Sequence, residues 1–232
     1  MSSDQIDLFN LDDTAQPSPE DFDPALIPTD VTIPVPPGTY STMASLKEPC
    51  NRCSRCGLGA TRTNAVIGRG NPQSDILIIG EGPGQTEDET GLPFIGKAGQ
   101  LLEKILAAVQ LDSEADVYIA NIVKCRPPGN RKPSDKEMQA CMPYLQEQIR
   151  LMDPKIILLM GATAVQGMLG EKTGITKIRG QWREQGQRLY MPMLHPAYLL
   201  RNPARKEGSP KWYTWQDIQA VRAKYDELCQ VR

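Results

Sequence analysis

The chain is poor in two side chains that often carry chemistry or fill cores. Its 232 residues include one histidine, His195, and three phenylalanines. Phe9 and Phe22 fall in the first 46 residues, so Phe94 is the one phenylalanine left for the rest. A histidine-rich metal centre is thereby excluded. No apolar run approaches the roughly 20 residues that span a bilayer, and no secretory leader opens the chain. The expected compartment is the cytoplasm, where disulfides are disfavoured. No internal repeat appears, which argues against a solenoid. Residues 1–46 also contain no lysine or arginine. They carry eight acids (Asp4, Asp7, Asp12, Asp13, Glu20, Asp21, Asp23, Asp30) and prolines 17, 19, 24, 28, 34, 36 and 37. Such a segment is expected to be a disordered tail, with one domain over 47–232. Removing the tail's eight acids from the chain's 28 leaves 20 acids against 26 bases, so the remainder carries +6. A mildly basic body behind an acidic tail suits a polyanionic partner.

What is present is an alternation of short apolar runs and amphipathic stretches. Ile76–Ile79, Val117–Val123, Ile156–Met160 and Leu189–Leu194 read as strands. Between them, Lys97–Val109 repeats Ala98, Leu101, Leu102, Ile105, Leu106 and Val109 at helical spacing. Ser134 followed by Glu137 is a capping-box pattern, opening a helix with a stripe of Met138, Cys141, Leu145, Ile149 and Met152. A short helix to Leu169 and a last one near Thr214–Leu228 complete the set. Repeated β-α units predict an α/β fold: three layers, α/β/α, around a central, mainly parallel sheet.

Three strand ends carry candidate chemistry. Ile76–Ile79 stops at Gly80-Glu81-Gly82-Pro83-Gly84, where three glycines let the backbone turn sharply around one carboxylate, Glu81. Ligands of open α/β sheets bind at the carboxyl ends of strands. His195 sits at a similar address, with Pro196 fixing the exit. Asn121 interrupts an apolar strand, a costly placement unless its amide is satisfied. It either ties down a loop or reads a ligand's edge.

Six cysteines in a reducing compartment need an explanation. Cys50, Cys53 and Cys56 are spaced C-x2-C-x2-C, Cys125 ends a strand, Cys141 lies on a helix stripe, and Cys229 is near the C-terminus. Closely spaced cysteines of this kind bind metal as thiolates. Zinc and an iron–sulfur cluster both remain open on spacing alone, as does the choice among the first three cysteines.

Taken together, the motifs resemble those of the family 4 uracil-DNA glycosylases, the iron–sulfur branch of that superfamily. The matching pieces, in order, are Cys53-x2-Cys56, Thr61–Asn64, Gly80–Gly84 with Glu87-Asp88, Gly91–Leu102, Asn121–Pro128, Asn130-Arg131, Cys141, Arg179-Gly180 and His195–Arg201. They cover roughly residues 50–217. One departure is Gly82, where the family usually carries alanine.

The resemblance implies a DNA repair enzyme that flips uracil out of DNA and hydrolyses its glycosidic bond, leaving an abasic site without cutting the strand. It implies a [4Fe-4S] cluster on Cys53, Cys56, Cys125 and Cys141, with Cys50 and Cys229 outside the set. Glu81, Asn121 and His195 take the catalytic roles. Gly80, Gly82, Gly84 and Phe94 complete the base pocket, where Phe94 stacks the base. Glu87 and Asp88 either cap the next helix or hold a loop. Leu199 and Leu200, expected to be exposed after His195, fill the gap left by the flipped base, and Arg201 with Arg205, Lys206 and Lys211 meets phosphate. Arg126, Arg131 and Lys132 form a second basic set. In the tail, Gln5-Ile-Asp-Leu-Phe9 resembles the pentapeptide by which bacterial repair proteins dock on the sliding clamp. A monomer in the bacterial cytoplasm, on the nucleoid when bound to DNA, is the expected state.

Overall fold

The computed structural model describes residues 38–230. Six strands form one sheet in the order β1-β3-β2-β4-β6-β5. They are β1 Arg69–Gly70, β2 Ile76–Gly80, β3 Tyr118–Asn121, β4 Ile156–Met160, β5 Arg183–Gln185 and β6 Arg188–Met193. The inner four run parallel, and β1 and β5 lie antiparallel at the edges. The α-helices are α1 Lys47–Arg52, α2 Gln85–Thr90, α3 Lys97–Ala107, α4 Asp135–Met152, α5 Ala162–Leu169, α6 Ile175–Ile178, α7 Pro196–Arg201 and α8 Pro210–Gln230.

The strand sequences explain the layering. β2 and β4 are buried along their whole length, as a sheet covered on both faces requires. Successive side chains alternate between faces. Leu77, Ile79, Ile157 and Leu159 join one core with Leu145 and Ile149 of α4 and Val165 and Met168 of α5. Ile76, Ile78, Ile156 and Leu158 join the other with Leu102 and Leu106 of α3 and Ile218 and Val221 of α8. This is the expected three-layer α/β/α arrangement. Ser134 caps α4 reciprocally with Glu137, and the whole stripe from Met138 to Met152 is buried.

The folded body begins earlier than residue 47. Tyr40 and Leu46 are buried in the core, and the Glu147 carboxylate accepts hydrogen bonds from Gly38 N and Tyr40 N at 3.1 and 3.3 Å. Composition places the boundary at residue 47, whereas buried Tyr40 and Leu46 pack on the core before it. Among the described residues no helix is long and apolar enough to cross a membrane.

Candidate active site

β2 ends at Gly80, in register with Asn121 at the end of β3. β6 ends at Met193, two residues before His195. Because these strands are parallel, their carboxyl ends share one rim. β3 and β4 lie on opposite sides of β2, the kind of switch point where α/β sheets open a crevice. Glu81, Phe94, Asn121 and His195 line one cleft there, with Gly82, Pro83 and Gly84 as one wall. Its volume is about 210 Å³. That is below the ~300–1,000 Å³ of sites for drug-sized ligands, so the cleft suits a single small ring.

Gly80 is a steric necessity. A Cβ there would stand 2.4 Å from Asn121 Oδ1 and 2.6 Å from the Phe94 ring. Asn121 itself is 1% exposed, and its Oδ1 has no hydrogen-bond partner among the described residues. The amide oxygen therefore ties down no loop among the described residues. A buried acceptor without a protein partner is uncommon and leaves this oxygen open to a donor in the cleft.

Phe94 is held in a left-handed conformation, φ 53°. For a bulky residue this is a strained state, worth roughly 1–3 kcal/mol and typical of functional sites. Three neighbours enforce it. Glu87 accepts from Ile95 N and Gly96 N at 3.1 and 2.8 Å, and from Gly84 N at 3.1 Å. Arg69 donates to the Pro93 and Phe94 carbonyls at 2.8 and 3.3 Å. Gly99 lets α3 press on the segment, since a Cβ there would overlap the Phe94 carbonyl. The Phe94 and His195 ring centres lie 5.7 Å apart. Both roles open to Glu87 and Asp88 are observed: Glu87 accepts from the backbone N–H of Gly84 and of Gly96, the N-caps of α2 and α3, and Asp88 is buried and holds a loop by accepting from Thr63 N at 2.9 Å.

Glu81 accepts a hydrogen bond from the Thr163 hydroxyl on α5. Nothing in the sequence pattern singled out Thr163; only the turn after β4 brings it across. Gly161 in that turn, at φ 94°, leaves room for His195, whose Cβ would lie 3.1 Å from a Cβ at 161. His195 caps α7, its Nδ1 accepting from Ala197 N at 3.1 Å. With Nδ1 an acceptor, the neutral ring carries its proton on Nε2. Burial, helped by Arg201, lowers its pKa from 6.5 to about 4, so the ring is neutral near pH 7. At Gly82, an alanine Cβ would stand 2.7 Å from Val123 Cγ2, so the valine takes the space an alanine would need.

One expectation is overturned after His195. The segment is not an open loop but the helix α7, and its turn carries Leu199 inward to 1% exposure. Leu200 is 44% exposed and Arg201 is exposed. A wedge role therefore rests on Leu200, and Leu199 is a packing residue. Arg131 lines the cleft but is paired with Glu137 at 2.7 Å, and Lys132 donates to Gln166 at 2.8 Å.

Cys50, Cys53, Cys56, Cys125 and Cys141 line a second cavity, with Arg55, Arg62, Lys124 and Tyr144. Cys229 is exposed elsewhere. Lys124 N donates to Cys141 Sγ at 3.2 Å, and Arg62 Nη1 to Cys125 Sγ at 3.6 Å. Burial raises the Cys125 and Cys141 thiols to about 11 and about 12, opposed by Arg62 and Lys124 respectively, so a metal here must displace their protons. Among the described residues no three His, Cys, Asp or Glu side chains are gathered for a single metal ion. Four or more thiols around a cavity rather than a point, with cations behind them, fit a polynuclear cluster. Lys124, which lines this cavity and is buried, donates from Nζ to the Asn121 backbone carbonyl at 2.8 Å and to Gln148 at 2.5 Å.

Comparison with known proteins gives the kinship. A model of the uracil DNA glycosylase superfamily matches residues 67–219. A type-4 uracil-DNA glycosylase of Thermotoga maritima is 45% identical over 164 residues, covering 69% of this chain and 84% of the relative. Those of Sulfurisphaera tokodaii and Archaeoglobus fulgidus are 40% and 39% identical, covering 70% and 76% of this chain and 77% and 88% of their own. With the three-layer fold and the cleft at its switch point, these matches decide the kinship: the chain belongs to the uracil-DNA glycosylase superfamily, in its type-4 branch.

Proposed function

We propose that the protein is a monofunctional DNA glycosylase that releases free uracil from DNA, leaving an abasic site for base excision repair. The observation that carries the reading is Asn121 Oδ1, buried without a protein partner in a one-ring cleft beside a strained Phe94. Uracil is flipped from the stack, at a cost of a few kcal/mol, to enter it. Phe94 stacks on the ring. Asn121 Oδ1 accepts from uracil N3–H while Nδ2 donates to O4. Cytosine carries an acceptor at N3 and a donor at N4, the reverse pattern, and leaves both groups unmatched. Sites built this way discriminate by up to ~10⁴–10⁵-fold.

The C1′–N1 bond then breaks, its electron pair moving onto uracil. His195 Nε2–H donates to O2, where the negative charge collects, as in an oxyanion hole. Its neutral state suits this role, because its other nitrogen is already engaged by Ala197 N. The Glu81 carboxylate, oriented by Thr163, opposes the positive charge developing on the sugar and directs water to C1′, whose proton passes to the carboxylate or to solvent. No lysine lines the cleft among the described residues, so a Schiff-base step has no donor there. Leu200 fills the vacated stack and Arg201 meets phosphate.

Cys53, Cys56, Cys125 and Cys141 would hold a [4Fe-4S] cluster. When bound, it supplies a crosslink between the segment after α1, the loop after β3 and α4. Cys50 lines the same cavity, so its exclusion rests on the type-4 spacing. The clamp-docking motif Gln5–Phe9 lies outside the described residues. Its docking is proposed on sequence alone; a Met1–Asp13 peptide without affinity for a bacterial clamp would remove it.

The test is a single-turnover assay on a uracil-containing oligonucleotide. Free uracil and an alkali-labile, otherwise intact strand are expected. His195→Ala and Glu81→Ala should each slow release by at least ~100-fold. Strand scission without alkali, or no uracil release by the parent chain, rejects the reading.

A further inference from the structure

We propose that the groove between α3, α7 and α8 is a single-strand platform that holds DNA flanking the flipped nucleotide by stacking its bases on Trp215 and Trp212. The inference rests on the reading of the chain as a DNA glycosylase. The groove, about 390 Å³, is lined by Leu199, Trp212, Trp215, Lys104, Arg205 and Lys211 among others. No carboxylate lines it.

Three observations support a nucleic-acid occupant. Trp215 is 41% exposed, an unusual state for the largest apolar side chain. Lys104, Arg205 and Lys211 make no ion pair among the described residues, whereas Arg69, Arg131, Arg179 and Arg222 are each paired. Unpaired cations beside exposed aromatics match an anionic backbone with bases along it. The groove also starts where the cleft stops. On α3, Ala98 and Gly99 face the cleft while Leu101 and Lys104 face the groove; on α7, Ala197 faces the cleft and Leu199 the groove. Cleft and groove are thus contiguous along α3 and α7, so a strand with one nucleotide in the cleft can continue toward Trp215.

Stacking on a protein ring requires a base that is not already stacked in a duplex. The platform therefore acts on unpaired DNA. The probe is a fluorescent, uracil-free oligothymidylate of about 12 nucleotides, within the ~4–16 that single-strand sites cover. Binding by the full chain is followed by anisotropy. Trp215→Ala should weaken it about 5- to 150-fold, the equivalent of ~1–3 kcal/mol of stacking per base. Trp215→Phe, which keeps a ring, should stay within about 3-fold of the parent, a loss of under ~1 kcal/mol. Affinity for a blunt duplex should not change in either variant. Parent-like binding by Trp215→Ala, equal loss in both variants, or equal loss on the duplex overturns the proposal. The probe contains no uracil, so this failure is distinct from an absence of glycosylase activity in the parent chain.

Discussion

Asn121→Ala should make the protein more stable and nearly inactive. Among the described residues Asn121 Oδ1 is buried without a protein partner. Leaving a buried acceptor unmade costs about 1–3 kcal/mol. Truncation to alanine removes that acceptor. It also removes packing against the cleft wall, but the cleft is already a cavity, so little new void is created. The net expectation runs from about 0 to +2 kcal/mol of stability. For a chain of this size, ~1 kcal/mol moves Tm by about 2–4 °C, so the rise is at most about 4–8 °C. Excision moves the other way. The amide supplies both hydrogen bonds that separate uracil from cytosine, and its loss should slow release at least ~100-fold. Thermal melts followed by circular dichroism, with single-turnover excision on the same preparations, measure both. A loss of more than about 1 kcal/mol of stability would mean that the amide holds the fold. Excision within a few-fold of the parent would mean that it does not read the base. Either result refutes the reasoning.

Gly80→Ala should abolish uracil release without removing any polar group, because its Cβ would displace Asn121 and Phe94 together; parent-like excision would show that the contact relaxes freely. Ser substitution at Cys53, Cys56, Cys125 or Cys141 should lose iron and lower Tm, since metal binding and folding are coupled, while Cys229→Ser keeps its iron. Iron lost in Cys50→Ser but kept in Cys53→Ser overturns the ligand set. His195 sets a pH window. Its folded pKa of about 4 lies below the ordinary 6.5, so between pH 6.5 and 4 the unfolded chain takes up a proton that the folded chain refuses. This contribution to stability is complete above pH 6.5 and is lost as pH falls toward 4. Urea titrations at both ends should show a slope that His195→Gln removes, and an unchanged slope assigns it to other groups.

Much of the fold was legible because its signals are local. Ile156–Met160 is a continuous apolar run bounded by charge and glycine, and the observed strand has those limits. Ser134 and Glu137 mark a helix start through a hydrogen-bond pair three residues apart. The elements missed are those that tertiary contact creates. β5 is three partly exposed polar residues, Arg183–Gln185, with no apolar pattern, and it exists because Arg188–Met193 offers an edge to pair with. α7 hides behind Pro196, which suits the first turn of a helix as well as a loop. Missing it led directly to the wrong exposure for Leu199.

The same division runs through the site. Glu81, Asn121 and His195, which line one cleft, were singled out because a polar residue at an apolar strand's end is anomalous within a few positions of sequence. Thr163 was not, because a threonine in the first turn of a helix is ordinary; it matters only once β2 and β4 are neighbours and bring α5 against Glu81. Gly80 looked like one of three turn glycines, yet its constraint comes from Asn121 and Phe94, residues 41 and 14 positions away in sequence. The strain at Phe94 leaves no trace in the sequence either. Glu87 and Arg69 impose it from outside the segment, and the order of the loop is the cost of presenting a flat ring to the cleft. On the proposed reading, a cleft with one amide oxygen lacking a protein partner and one phenylalanine strained suits a partner that supplies two hydrogen bonds and a π face. A pyrimidine with an imide edge supplies both.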